Sequence, residues 1–196
     1  MKINLTKYKL LAICFCSYFP LEAATVVNKE TKYFLENPDA VSAQKVIIKF
    51  LQWYKANLNK ANSFPILIKD RNDYYTINKK AVTDYLNYMK SSKCVSPKYL
   101  EHWQNFFDGR AIQLKKNKLK SDIPEGFDYD FVLITQEPDL VLNQISRAKF
   151  KTISTTTSAC LIDASWPAKD SMKYKFEMNY GKDGWQISYI SIPNFH

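Results

Sequence analysis

Two carboxylates, Asp128 and Asp130, flank Tyr129 in the stretch GFDYDFVLITQEPDL (residues 126–140), and a second acidic pair, Glu137 and Asp139, brackets Pro138. Paired carboxylates can divide acid and base work when a cleft holds them at a defined separation. Alternating acids can also hold a cation. As a calcium loop the stretch fails, because Val132 stands where a third ligand belongs and the required glycine is missing. As a glycosidase-type pair, residues 128 and 130 face one side only if the chain there is extended. Pro138 marks the start of a helix or turn, where flanking acids suit the helix dipole. The structural alternative is a loop that buries Phe131, Leu133 and Ile134 while its acids cap backbone N–H groups.

Other chemistries find fewer residues. The chain has two histidines, His102 and the C-terminal His196. A zinc site or a Ser-His-Asp triad would rest on His102 alone. That residue neighbours Trp103 on an aromatic-rich segment and reads as a structural or surface histidine. Four glycines, all at turn positions, form no phosphate-cradling loop. No metal, cofactor or nucleic-acid partner is expected.

The termini and composition bound the setting. Lys2, Lys7 and Lys9 precede an apolar run from Leu10 to Phe19, then Pro20 and Leu21-Glu-Ala23. This is the pattern of a secretory signal over residues 1–23. The apolar run is shorter than the roughly 20 residues a membrane span needs, so no transmembrane span is expected in the mature chain. Leu11-Ala-Ile-Cys14 is a poor lipobox, with Ile13 where a small residue belongs. Cleavage would remove Cys14 and Cys16, leaving Cys94 and Cys160 in an oxidising compartment such as the periplasm. Export predicts a disulfide between them. Closing that loop would stabilise the fold by roughly 4 kcal/mol. Two separate buried thiols are the alternative. Losing three lysines and Glu22 with the signal takes the formal charge from +9 to +7. A basic surface favours acidic proteins, phospholipid head groups or wall polymers.

The elements that must position these residues follow from periodicity. Residues 24–38 are a polar lead-in, and 39–196 read as one domain. Asn37-Pro38-Asp39 opens a helix with Ala43, Val46, Ile47, Phe50, Leu51, Tyr54 and Leu58 on one face. Phe64 to Ile68 is a short apolar link. Asn78 caps a second helix burying Val82, Tyr85, Leu86 and Met89. Ser96-Pro97 starts a third, with Tyr99, Leu100, Trp103, Phe106 and Phe107 inward and Gly109 as its end. A basic run follows: Arg110, Lys115, Lys116, Lys118 and Lys120. After residue 145 the period becomes alternating. A strand is expected near 149–156. Cys160, Ile162, Ala164 and Trp166 share one face of the next strand, and Tyr174, Phe176, Met178 and Tyr180 one face of another. Gly181-Lys-Asp-Gly184 turns the chain into a last strand with Trp185, Ile187 and Tyr189 inward. Helices followed by a strand meander predict an α+β domain, its helices packed on one face of an antiparallel sheet.

Several pieces occur in a recognisable order: Phe50-Leu-Gln-Trp-Tyr54, Asp84-Tyr-Leu-Asn-Tyr88, Phe106-Phe107, Asp128-Tyr-Asp130, Gln136-Glu137 and Gly184-Trp-Gln-Ile-Ser-Tyr-Ile190. This order resembles an exported bacterial family of uncharacterised (DUF3828-type) domains, related to the nuclear-transport-factor-two-like or cystatin-like fold. Family members often carry Asp where Glu137 stands. The resemblance implies a curved, cone-like sheet wrapped around helices, sometimes enclosing a pocket, but no reaction. Related small exported folds serve as immunity proteins against toxins from neighbouring bacteria.

Three functions follow as expectations. The first is a non-enzymatic periplasmic immunity or inhibitor protein for a secreted toxin or effector. Its candidate contacts are Lys115, Lys116, Lys118 and Lys120 on the basic run and Asp128, Asp130 and Glu137 on the acidic loop. The second is a small-ligand binder or isomerase-like enzyme. There Asp128 or Asp130 would act as base and Tyr54 or Tyr129 as hydrogen-bond donor in a cone pocket. The third is a cell-envelope surface module whose lysines meet anionic lipids or wall polymers.

Overall fold

Three amphipathic helices carry the first half of the molecule. A computed structural model describes residues 39–167 and 172–193, all within one compact unit, Asn37–His196. The expected signal (1–23), the expected lead-in (24–38) and His196 lie outside the described residues. Helix α1 (Ala40–Ala61) starts where the Asp39 carboxylate accepts from Val41 N, and it buries Ala43, Ile47, Phe50, Leu51 and Tyr54. Strands β1 (Leu67–Lys69) and β2 (Tyr75–Ile77) form a small antiparallel hairpin. Asn78 caps α2 (Lys79–Ser91) through Ala81 N. Ser96 caps α3 (Pro97–Lys116) through Tyr99 N, with Pro97 in the first turn. Each cap satisfies an amide that the helix itself leaves without a partner.

Helix α3 does not end at Gly109. It continues through Arg110 to Lys116, because Gly109 keeps a helical backbone and the residues after it are mostly good helix formers. The expected basic linker is therefore partly the last turns of α3, where Lys115 and Lys116 suit the negative end of the helix dipole.

The chain then passes through the 117–137 loop, a short helix α4 (Pro138–Leu142) and a 3-10 turn (Ile145–Arg147). It ends in β3 (Lys149–Thr155), β4 (Ala159–Ser165), β5 (Lys173–Gly181) and β6 (Gly184–Ser191). These form one antiparallel sheet in the order β3-β4-β5-β6. The architecture is α+β. Cys160, Ile162, Ala164, Tyr174, Phe176, Met178 and Ile187 are buried on one face of the sheet, against which α1 and α3 pack.

Two strand assignments need correction. Tyr180, expected inward, is 46% exposed beyond the end of the buried row. A bulge shifts the β5–β6 register between Glu177 and Met178, so that Glu177 pairs with Tyr189 and Met178 with Ile187. The extra residue, Ser188, is buried with Ile190, while Tyr189 is only half-buried.

The expected disulfide is absent: Cys94 and Cys160 are both buried free thiols. Cys160 pairs across the sheet with Met178, Met178 with Ile187, and Ile187 bridges in parallel to Val95. The two cysteines are thus separated by three strand spacings, on the order of 14 Å, whereas bonded cysteines lie within about 7 Å.

Candidate functional site

The acidic stretch folds as a knot around one carboxylate. Asp130 Oδ1 accepts hydrogen bonds from Val132 N at 3.0 Å and Leu133 N at 2.7 Å. Its backbone carbonyl accepts from Ile134 N at 2.7 Å, and its own N–H donates to the Thr135 carbonyl at 2.9 Å. This tight turn places Ile134 in the left-handed region, at φ 49°. Val132 and Leu133 face the core, while Phe131 and Ile134, expected inward, are only half-buried.

Helix and sheet clamp the knot from two sides. From α1, the Tyr54 hydroxyl donates to Asp130 Oδ2 at 2.5 Å, and Asn62, just past the helix end, lies near enough to favour the charged Asp130 carboxylate. From β5, the Tyr174 hydroxyl donates to the Leu133 carbonyl at 2.7 Å. Asp130 is 7% exposed. Burial holds its carboxyl above the usual range, while the bonds from Tyr54, Leu133 and Val132, and the nearby Asn62, pull it down. Burial first, and then the Asp130 charge, push the Tyr54 phenol far above its ordinary value. The shared proton therefore stays on Tyr54. Both Asp130 oxygens are engaged, so service as a general base would mean surrendering bonds that hold its own loop.

Asp128 and Asp130 do not act as a pair. The chain between them turns rather than extends, leaving Asp128 exposed and Asp130 buried. Both border an open cleft of about 750 Å³ between the end of α1, the Phe64–Leu67 link and the 123–139 loop. Tyr129 is part of the cleft lining, and Tyr54 is not. Phe64, Phe127 and Phe131 supply aromatic walls, and Asp139 adds a third carboxylate. Among the described residues no lysine, arginine or histidine lines this cleft, although Lys60 Nζ lies 5.0 Å from the Phe64 ring centre. Glu137 is exposed at the start of α4, makes no side-chain cap bond and stays outside the lining.

The basic run lies elsewhere. Lys115 and Lys118 line a second cavity, of about 680 Å³, between the hairpin and α3. Lys120 stands over Tyr74, and Lys116 is exposed outside that lining. His102 packs edge-on against Tyr189, with ring centres 4.6 Å apart, and burial lowers its pKa.

The expectations from sequence hold no pointer to Asn62 in the cleft lining, to Tyr174 as the sheet's tie to the Leu133 carbonyl, or to Tyr74 at the basic run. The adjacent Tyr74-Tyr75 after the turn-forming Asp70-Arg-Asn-Asp73 is the signal that would have found the last. Among the described residues no three His, Cys, Asp or Glu side chains are grouped to hold a metal, and no helix is long and apolar enough to cross a membrane. No known protein family, curated protein or solved structure matches this chain.

Proposed function

We propose that this chain is a non-enzymatic binding protein whose acidic cleft receives a basic segment of a protein partner. In its most concrete form it is an exported inhibitor that neutralises an antibacterial toxin, as the family resemblance would have it. The observation that carries this reading is the cleft. In a chain of net charge +9, three carboxylates and several aromatic rings line about 750 Å³ of open space without a lining cation. Such a surface suits an arginine or lysine, whose charge meets carboxylates while its stem lies on rings. Engagement of both Asp130 oxygens argues against a reaction there.

The small-ligand or isomerase-like reading keeps one observation in its favour. The Asp130 carboxyl, raised by burial, borders the same cleft.

The test is capture of the tagged protein from its own organism and from cells making the product of the neighbouring gene. A stoichiometric partner is expected, whose toxicity this chain relieves. Asp128→Lys with Asp139→Lys should weaken it by roughly 2 kcal/mol or more, as reversal of close interfacial charges does. Charge reversal at Lys115 and Lys118 should leave it bound. Recovery of no partner, or capture that survives the cleft reversal, would overturn the proposal and direct attention to small ligands at Asp130.

A further inference from the structure

The second cavity has the opposite chemistry. The segment after α3 is fastened to the hairpin by a backbone bond from Tyr75 N to the Leu119 carbonyl, at 2.9 Å. That bond sets Lys118 and Lys120, two residues apart, on one side of the local chain. Their Nζ atoms lie 5.2 Å and 4.4 Å from the centre of the Tyr74 ring. Lys115 and Lys79 border the same space. None of these four lysines forms a salt bridge among the described residues; the bridges on this side join Lys69 to Asp73 and Lys80 to Asp84.

Two carboxylates also border the cavity, and both have other partners. Asp70 Oδ1 accepts from Asn72 N at 2.8 Å and Tyr74 N at 3.0 Å, closing the hairpin turn. The Tyr74 amide is the main cause of its lowered pKa, with smaller help from Asn72 and from the charges of Lys118 and Lys120. Asp108 Oδ2 accepts from the Gln104 amide at 3.0 Å. Lys79, Lys115 and Lys118 line the cavity, and Lys120 stands over its Tyr74 wall; these four ammonium groups against the two carboxylates leave about two positive charges, the match for a phosphate monoester dianion of about −2. The remaining wall is apolar. Ile112 is 70% exposed there, beside the half-buried Tyr74. An exposed isoleucine and a tyrosine ring beside a basic rim suit the body of a ligand whose head is the anion.

We propose that the cavity between the hairpin and α3 binds a small phosphate monoester, the phosphate on Lys115 and Lys118 and an apolar or ring-bearing body on Tyr74 and Ile112. This goes beyond the protein-binding cleft and uses none of its residues.

Calorimetric titration of the whole protein with phenyl phosphate tests it, beside inorganic phosphate and vesicles of phosphatidylglycerol. Saturable one-to-one binding of phenyl phosphate is expected, tighter than that of inorganic phosphate because the ring adds contact with Tyr74. Lys115→Glu with Lys118→Glu should weaken it roughly tenfold or more. Lys45→Glu with Lys55→Glu makes the same change in net charge on α1 and should alter it by less than about twofold. Tyr74→Leu should bring phenyl phosphate towards the affinity of inorganic phosphate. These lysines are exposed, so unchanged thermal unfolding will separate lost binding from lost structure. Absence of saturable phenyl phosphate binding would overturn the proposal. So would equal losses in the two charge-reversed pairs, or binding to vesicles alone.

Discussion

Asp130 ties helix α1 to the 130–135 turn through a single side chain. Asp130→Ala would leave the Val132 and Leu133 amides and the Tyr54 hydroxyl without their acceptor in the interior. A buried donor left unsatisfied costs about 1–3 kcal/mol, so the expected loss is about 3–5 kcal/mol in urea unfolding. Asp130→Asn keeps the Oδ1 acceptor, removes a buried charge and should change stability by about 1 kcal/mol or less. The pH dependence has a definite sign. The folded carboxyl titrates above its unfolded value of 3.8 because burial disfavours the charge. The folded state therefore holds this proton more tightly. Its contribution to stability is fully present below the unfolded value and is lost as pH rises through the folded one. The original chain should accordingly gain stability relative to Asp130→Asn as pH falls through that window. A difference that stays flat with pH would show that burial does not govern this carboxylate.

At the scale of elements, two glycines of similar appearance play opposite parts. Gly126 sits at φ 90°, and a Cβ there would lie 2.9 Å from Phe106 Cζ and 3.4 Å from Arg110 Nη2. Gly126→Ala should destabilise the protein by about 1–3 kcal/mol, through both the backbone and the displaced ring. Gly109 lies inside α3 with nothing within 4 Å of its Cβ direction. Gly109→Ala should stabilise by about 0.5–1 kcal/mol, as measured by the urea midpoint. The same contrast marks what the sequence could convey. Helices α1, α2 and α3 were legible because a cap residue precedes an apolar row of helical period in each case. The end of α3 was not, since a glycine denotes a helix stop only when its backbone turns left-handed. The three-residue strands of the hairpin are too short to show a period, and the β6 bulge moves Ser188 inward against the alternation. In the cleft, the spacing of Asp128 and Asp130 drew attention to two residues that both border it. Which one faces inward depends on the turn at 130–135 and on Tyr54, a partner 76 positions away that no local pattern specifies.

For the whole molecule, the strand order decides the fate of the cysteines. Export with loss of Cys14 and Cys16 would leave two cysteines in an oxidising compartment and invite their pairing, and composition alone offers no counter-argument. The counter-argument is topological: the row Cys160, Met178, Ile187, Val95 crosses β4, β5 and β6 before it reaches the neighbour of Cys94. A bond would require two intervening strands to leave the sheet, and those strands carry the buried faces of Phe176, Met178 and Ile187. Burial raises both thiols above their ordinary range, which leaves them poor nucleophiles for exchange in the folded state. The measurement is thermal unfolding with and without reductant, paired with alkylation in denaturant. Cys94 and Cys160 should each take one alkyl group without prior reduction, and reductant should leave the midpoint unchanged. A bond worth roughly 4 kcal/mol would instead lower the midpoint by about 8–16 °C on reduction in a chain of this size. A drop of that size, together with thiols that resist alkylation until reduced, would mean that the segment holding Cys94 lies beside β4 and that the sheet order is not β3-β4-β5-β6.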